Sequence, residues 1–403
     1  MSAHQNRQLK RIDTLVIGAG SAGAVVAARL SEDPASTVVL LEAGPDLRGA
    51  STPAEISGSS FNAARSLDGR TWPGLVAVRA TGQLPRGYVR GRGVGGSSVI
   101  NAMVALPGEP GDYDEWATAY GCAGWAWSDV REWFPRIPIP LHRAARREWG
   151  AVNTALATAD SATEAALLTR TAAGQRASVN DVYLEPARDR PNLTVRSGAL
   201  VDRVLLDGRR ARGVRLADGE EIEARRVVVS CGAIHSPALL MRSGIELSGI
   251  GANLHDHPSF AVPIDLADEF VADPLTLPIA ALARHSSADL VNDLQLLPMD
   301  HVDPNMPAIG VLMVAAMRVH SRGSVRLASA DATVDPLVEF AMLDDDRDRR
   351  RLRCGVELIE RMLAHDAFRR IGTVGEIDTS DAGIVAGLGD YVHAAGSCRM
   401  GAA

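Results

Sequence analysis

Two glycine clusters, one glutamate and one histidine supply the groups from which chemistry could be built. In "TLVIGAGSAGAVVAARLSEDPASTVVLLEAGP", Gly18, Gly20 and Gly23 are spaced GxGxxG, and Glu42 follows the last of them by ~20 residues. The first glycine of such a motif permits a tight turn, the second lets a pyrophosphate approach the backbone, and the third lets a helix pack on a strand. The N-terminal N–H groups of the helix that follows would face the phosphates. Glu42 is placed to accept hydrogen bonds from ribose hydroxyls. The pattern predicts dinucleotide binding and does not separate NAD from FAD. A second cluster, "YVRGRGVGGSSVINAM", sets Gly91, Gly93, Gly95 and Gly96 ahead of Ser97, Ser98 and Asn101. Glycines this dense let the backbone lie flat against a planar or phosphate-bearing ligand, and neighbouring N–H groups form an anion nest. Near the other end, "DYVHAAGSCRMG" carries Tyr391 and His393 in a stretch with no charge run and no low-complexity filler. An imidazole, with its ordinary pKa of about 6.5, can accept a proton at neutral pH.

The elements that must position these residues read as follows. Leu15 to Ile17 is an apolar run suited to a buried strand, "AVVAARL" a helix, and "TVVLLE" a second strand ending on Glu42. From Asn192 the chain alternates apolar and polar residues between the turn signals "DGRR" and "ADGE", then ends in the apolar run Val227 to Val229. That pattern predicts a β excursion over 192–226 that returns to a parallel sheet. "SPALLMRSG" reads as a short helix. Beyond Pro258, "VNDLQLLPM", "AIGVLMVAAMRV", "GSVRLAS" and "PLVEFAML" are strand-like, and "DDDRDRRRLRCGVELIERMLAHDAF" is an amphipathic helix with an acidic start. The expected architecture is an α/β Rossmann-like dinucleotide domain over 10–260 and a second, α+β domain over 261–390. Residues 391–403 would return toward the first domain.

Composition removes other classes. A chain of 403 residues is long enough for two to three domains' worth of core. Aromatics are only 4%, so that core must rely on Ala, Val, Leu and Ile. A net charge of -7 gives no electrostatic case for nucleic acid or an anionic membrane. No apolar run approaches the ~18–20 residues of a membrane span, and the N-terminus shows no signal peptide. The four cysteines are far apart and form no CxxC, the plain pattern of a reduced cytoplasmic protein without structural zinc. The single lysine, Lys10, lies in the polar N-terminal stretch. It is badly placed for a P-loop or a pyridoxal-phosphate Schiff base. The HxH pair His255 and His257 is too weak a signal for a metal site, and none is expected.

Together the segments resemble the glucose–methanol–choline family of FAD-dependent oxidoreductases. "GAGSAG…LLEAG" is similar to its FAD fingerprint, "GRGVGGSSVINAM" to its first signature and "GAIHSPALLMRSGI" to its second. "GIGANLHDHP", "HSRGSVRLASAD" and "DYVHAAGSCRMG" follow in family order, so the resemblance is collinear from Asp13 to Gly401. It implies FAD, with Gly18, Gly20, Ser21, Ala22, Gly23 and Glu42 on its ADP half and the Val201 backbone at the adenine. It implies that Gly95, Gly96, Ser97 and Asn101 line the pyrophosphate and isoalloxazine. Members with covalent flavin carry a histidine just before that asparagine; here the residue is Ile100, so the flavin is expected to be non-covalent. It implies a substrate domain built on an antiparallel sheet, and His393 as the acceptor of the hydroxyl proton of a small alcohol while hydride passes to flavin N5. The HDH segment is implied to be structural, and His235 an ordinary hydrogen-bonded histidine at a variable position. The family pattern continues past His393 with a further strand, a second His or Asn and a closing helix; none lies within these residues, so the chain is expected to be cut. Oxidation of an alcohol is the leading expectation, with oxygen or another carrier as electron acceptor. A catalytically impaired member, or a lyase with structural FAD, stand as alternatives.

Overall fold

Strand β1 (Ile12–Ile17) is buried on both faces, and its alternating side chains divide between two cores. Val16 joins Ala24, Ala27 and Ala28 of helix α1 (Ser21–Leu30) on one side. Leu15 and Ile17 face the other side, with Val204, Val214 and Leu239. In this computed structural model residues 12–48, 51–273, 275–288, 290–302 and 306–401 are described. Lys10, the start of the first expected domain and the last two residues of its returning segment lie outside them.

β1 pairs in parallel with β2 (Val38–Leu41), which pairs in parallel with β3 (Leu193–Arg196). The strands β4 (Val201–Asp207), β5 (Arg210–Leu216) and β6 (Glu221–Val229) form an antiparallel meander, and β6 closes back on β1 in parallel. The sheet order is β3-β2-β1-β6-β5-β4. The expected excursion is therefore present with one difference. "NLTVR" is a parallel strand of the main sheet, and the meander proper begins at Val201. The cause is pairing across the chain: Val38–Leu41 offers β3 an apolar partner that alternation within 192–196 does not reveal. Helix α2 (Gly232–Arg242) follows β6 and caps the second face.

The second layer is antiparallel: β7 (Ser259–Leu266), β8 (Ala281–His285), β9 (Leu294–Met299) and β10 (Ile309–Ala316), in the order β7-β10-β9-β8. Phe260, Val262, Ile264 and Leu266 alternate inward along β7. Helix α3 (Asp346–Leu363) lies on this sheet with Leu352, Val356 and Ile359 buried at helical spacing, capped by the Asp345 side chain on Arg347 N–H. The sheet also takes the strand Thr163–Ala165 as its edge beside β8, and the helix Ala151–Ala159 buries Val152, Ala155 and Leu156 in the same core. The layers are thus not contiguous in sequence, because residues 151–165, from within the first half, are built into the second.

Candidate active site

The GxGxxG turn and the second glycine cluster meet. Gly95 N–H donates to Ala19 O at 2.8 Å. Gly96, at φ +53, is so close to Gly20 that a Cβ on it would lie 2.7 Å from Gly20 Cα. A Cβ on Gly18 would lie 2.6 Å from Ser230 O, and one on Gly23 would lie 1.9 Å from Gly18 O, so these two glycines are required by backbone packing. Gly20 differs: an added Cβ would meet nothing nearer than Gly96 Cα at 3.9 Å. Gly20, Ser21 and Ala22 line a cleft of about 430 Å³. The first turn of α1 carries no acidic residue and no side-chain cap, so its N–H groups are free for an anion.

Glu42, Gly96, Ser97 and Val201 line the same cleft, with Arg90, Gly91, Trp72 and His235. Glu42 is 7% exposed, and its carboxylate accepts from Ala19 N at 2.8 Å, Gly44 N at 2.9 Å and Gly93 N at 2.9 Å. It therefore ties both glycine loops together before any ligand arrives, with acceptor capacity to spare. Ser97 Oγ accepts from Gly91 N at 3.1 Å. Asn101 is not among the cleft-lining residues; its Oδ1 accepts from the buried Arg176 at 2.7 Å and from Met103 N at 3.1 Å. Trp72 stacks on His235 with ring centroids 4.0 Å apart, and His235 Nε2 lies 3.4 Å from Asp335. Sequence reading placed neither Trp72 nor His235 in the site. His235 stood inside a recognised segment, whereas nothing local marks Trp72.

The residues present suit a flavin dinucleotide: an open helix N-terminus for the phosphates, a glycine whose missing Cβ leaves room there, and a carboxylate at the end of β2.

His393 sits among Tyr391 and His257, with ring centroids 4.8 and 5.6 Å away. Its backbone N–H donates to Asp256 Oδ1 at 3.0 Å, and Ala394 N–H donates to Tyr88 Oη at 3.0 Å. Arg90, from the wall of the cleft, donates to Val392 O. The imidazole pKa is lowered to about 4, first by burial among protein atoms, then by His257 and Arg90, against a raising influence from Asp256. The residue as a whole stays open to solvent, which tempers the burial contribution; the downward direction is what the chemistry uses. His255 and His257 are lowered too, chiefly by burial, and each ring contacts a carbonyl: His255 Nδ1 that of Asn253 at 3.0 Å, His257 Nδ1 that of Ala316 at 3.2 Å. Among the described residues no cluster of three or more His, Cys, Asp or Glu could hold a metal ion. The HDH segment is a scaffold of the site, and its Asp256 was visible in the sequence without any sign of what it holds.

Residues 12–259 and 319–403 match the N- and C-terminal GMC oxidoreductase family models. The chain belongs to the GMC oxidoreductase family. A GMC relative, the 5-(hydroxymethyl)furfural oxidase of Methylovorus sp. (strain MP688), is 31% identical over 89% of this chain and 79% of its own. An oxygen-dependent choline dehydrogenase 1 from Chromohalobacter salexigens is 30% identical over 98% and 86%. Among solved GMC structures, pyridoxine 4-oxidase from Mesorbium loti superposes with a TM-score of 0.86 at 26% identity, covering 97% of this chain and 89% of that one. This GMC chain is accordingly an oxidoreductase of a family that binds FAD and acts on alcohol-type substrates. Among its described residues no helix is long and apolar enough to cross a membrane.

Proposed function

We propose that this GMC oxidoreductase oxidises a CH–OH group of a small alcohol, with FAD held non-covalently and His393 as the proton acceptor. The observation that carries the reading is Arg90. It lines the glycine-walled cleft and donates to the carbonyl of Val392, the residue before His393, which links the histidine segment to the cleft wall although His393 is not itself among the lining residues. When bound, FAD supplies the two-electron acceptor to which the alcohol carbon gives hydride. Gly20, Ser21 and Ala22 would hold the pyrophosphate, and Glu42 and Val201, which line the same cleft, would serve the adenosine half. His393, neutral because its pKa is lowered, takes the hydroxyl proton on its free ring nitrogen. Non-covalent binding is supported by Ile100, 6% exposed and packed with Ile56, Ala64 and Val99, which has no nucleophilic atom to offer. The relatives' names, a 5-(hydroxymethyl)furfural oxidase, a pyridoxine 4-oxidase and a choline dehydrogenase, support a primary alcohol. All four cysteines are unpaired, which supports a reducing, cytoplasmic setting.

The test is anaerobic mixing of the FAD-loaded protein with a panel of primary alcohols while flavin absorbance is followed. Bleaching is expected with at least one of them. His393→Ala is expected to slow it by about 10²–10⁴-fold while flavin stays bound. An unchanged rate in that variant would remove the proton-acceptor role, and loss of flavin would make His393 a packing residue instead.

A further inference from the structure

The backbone immediately before His393 is strained. Val392 has φ +54, in the left-handed region that a β-branched residue adopts only under constraint. Three consecutive main-chain groups at this point are each held by a side chain from elsewhere in the sequence. Arg90 Nη1 donates to Val392 O, Asp256 Oδ1 accepts from His393 N at 3.0 Å, and Tyr88 Oη accepts from Ala394 N at 3.0 Å. Tyr88 Oη also donates to Asp256 Oδ2 at 2.8 Å, so the two amide contacts form one unit, with Arg90 holding the carbonyl of the same peptide that gives the His393 N–H; Tyr88 is 1% and Asp256 2% exposed. Asp256 Oδ1 accepts from the His257 backbone N–H as well, at 2.7 Å, so the same carboxylate holds the main chain of both histidines.

We propose that Tyr88, Arg90 and Asp256 are positioning residues for the oxidation, a clamp that holds Val392 in its strained conformation so that the His393 ring meets the substrate hydroxyl. The inference rests on the proton-acceptor reading of His393. A side chain's accessible rotamers depend on its backbone angles, so relaxation at Val392 would re-aim the ring. A misplacement of about 1 Å can cost about 10²-fold in rate. A carboxylate and a phenol that served packing alone would have no reason to be aimed at the two amides that flank the histidine's α-carbon.

The test uses three variants of the whole chain loaded with FAD. Tyr88→Phe removes one oxygen; flavin reduction at saturating alcohol is expected to slow by at least about 10-fold, with flavin affinity unchanged. Adding Val392→Gly, which adopts positive φ without strain, is expected to recover most of that rate. A parent-like rate in Tyr88→Phe overturns the clamp. So does a loss that Val392→Gly does not repair, since that is generic packing damage. Should Tyr88→Phe not fold, half-buried Arg90→Met carries the rate and its repair by Val392→Gly, both read at saturating FAD because Arg90 also lines the cleft. Amide hydrogen exchange at His393 and Ala394 gives a readout that needs neither flavin nor substrate: protected in the parent, faster in each clamp variant. If His393→Ala still reduces flavin normally, the proton-acceptor reading falls; parent-like exchange in the clamp variants sinks the clamp by itself.

Discussion

The proton-accepting role proposed for His393 depends on what surrounds the ring more than on the ring itself. A free imidazole would lose its proton-accepting form below about pH 6.5. Here burial, His257 and Arg90 lower its pKa to about 4, with Asp256 opposing them. The unprotonated ring therefore persists into acid. The rate of flavin reduction is expected to stay level on acidification past pH 6.5 and to fall only as the pH approaches that lowered value; a limb centred at pH 6.5 in a pH–rate series would refute the assignment. Gly20 is the second residue to try. In Gly20→Val a branched side chain would fill the space at the helix N-terminus, so flavin binding should be lost while the fold survives, read as absence of yellow colour with a parent-like circular dichroism spectrum. Acid precipitation of the loaded parent should release free FAD; colour left with the pellet would mean a covalent link that Ile100 cannot form. At this scale local spacing marked residues that the structure gathers on one cleft, Gly18, Gly20 and Glu42 among them. It was silent on Tyr88, Arg90 and Trp72, whose partners lie far along the chain.

Among the elements, α3 shows most clearly how a periodic pattern becomes a packed surface. Its buried stripe was readable from "RDRRRLRCGVELIERML", yet two members of that stripe are charged. Asp348 is 0% exposed and accepts from His320 N at 3.0 Å and Ser321 N at 2.6 Å, while Arg351, 3.6 Å away, also pairs with Asp293 at 3.2 Å. Asp348→Asn keeps the shape and removes the charge, leaving Arg351 with one carboxylate in place of two. Breaking a buried pair costs about 3–5 kcal/mol. With Asp293 still present the expected loss is about 3 kcal/mol, the lower end of that range. Urea denaturation would measure it, and a change below about 1 kcal/mol would show that the pair contributes little, as exposed pairs do. No periodicity could have indicated this, since "DRDRRR" at a helix start reads as solvated charge. The strand β3 escaped for a similar reason: a strand's parallel partner is a property of two segments, and alternation within one of them cannot name it.

For the whole molecule, two layers and a cleft were legible because each is written in stretches of contiguous pattern, while the way the layers interlock was not. The short edge strand Thr163–Ala165 pairs with Ala281–His285, and the helix Ala151–Ala159 is pinned by Asp300, whose carboxylate accepts from Gly150 N at 2.8 Å and Val152 N at 2.6 Å. A fragment ending at residue 260 is accordingly expected to leave Val152, Ala155 and Leu156 uncovered and to aggregate; a monodisperse fragment of that length would contradict the interlocked reading. The same stitch has a consequence for biosynthesis. Synthesis at ~5–20 residues per second exposes the 151–169 stretch for several seconds before its partners near 281–300 emerge. The nascent protein cannot complete its first half and then its second; it must keep an unpaired strand edge in hand, which makes this interval the one in which a chaperone matters most.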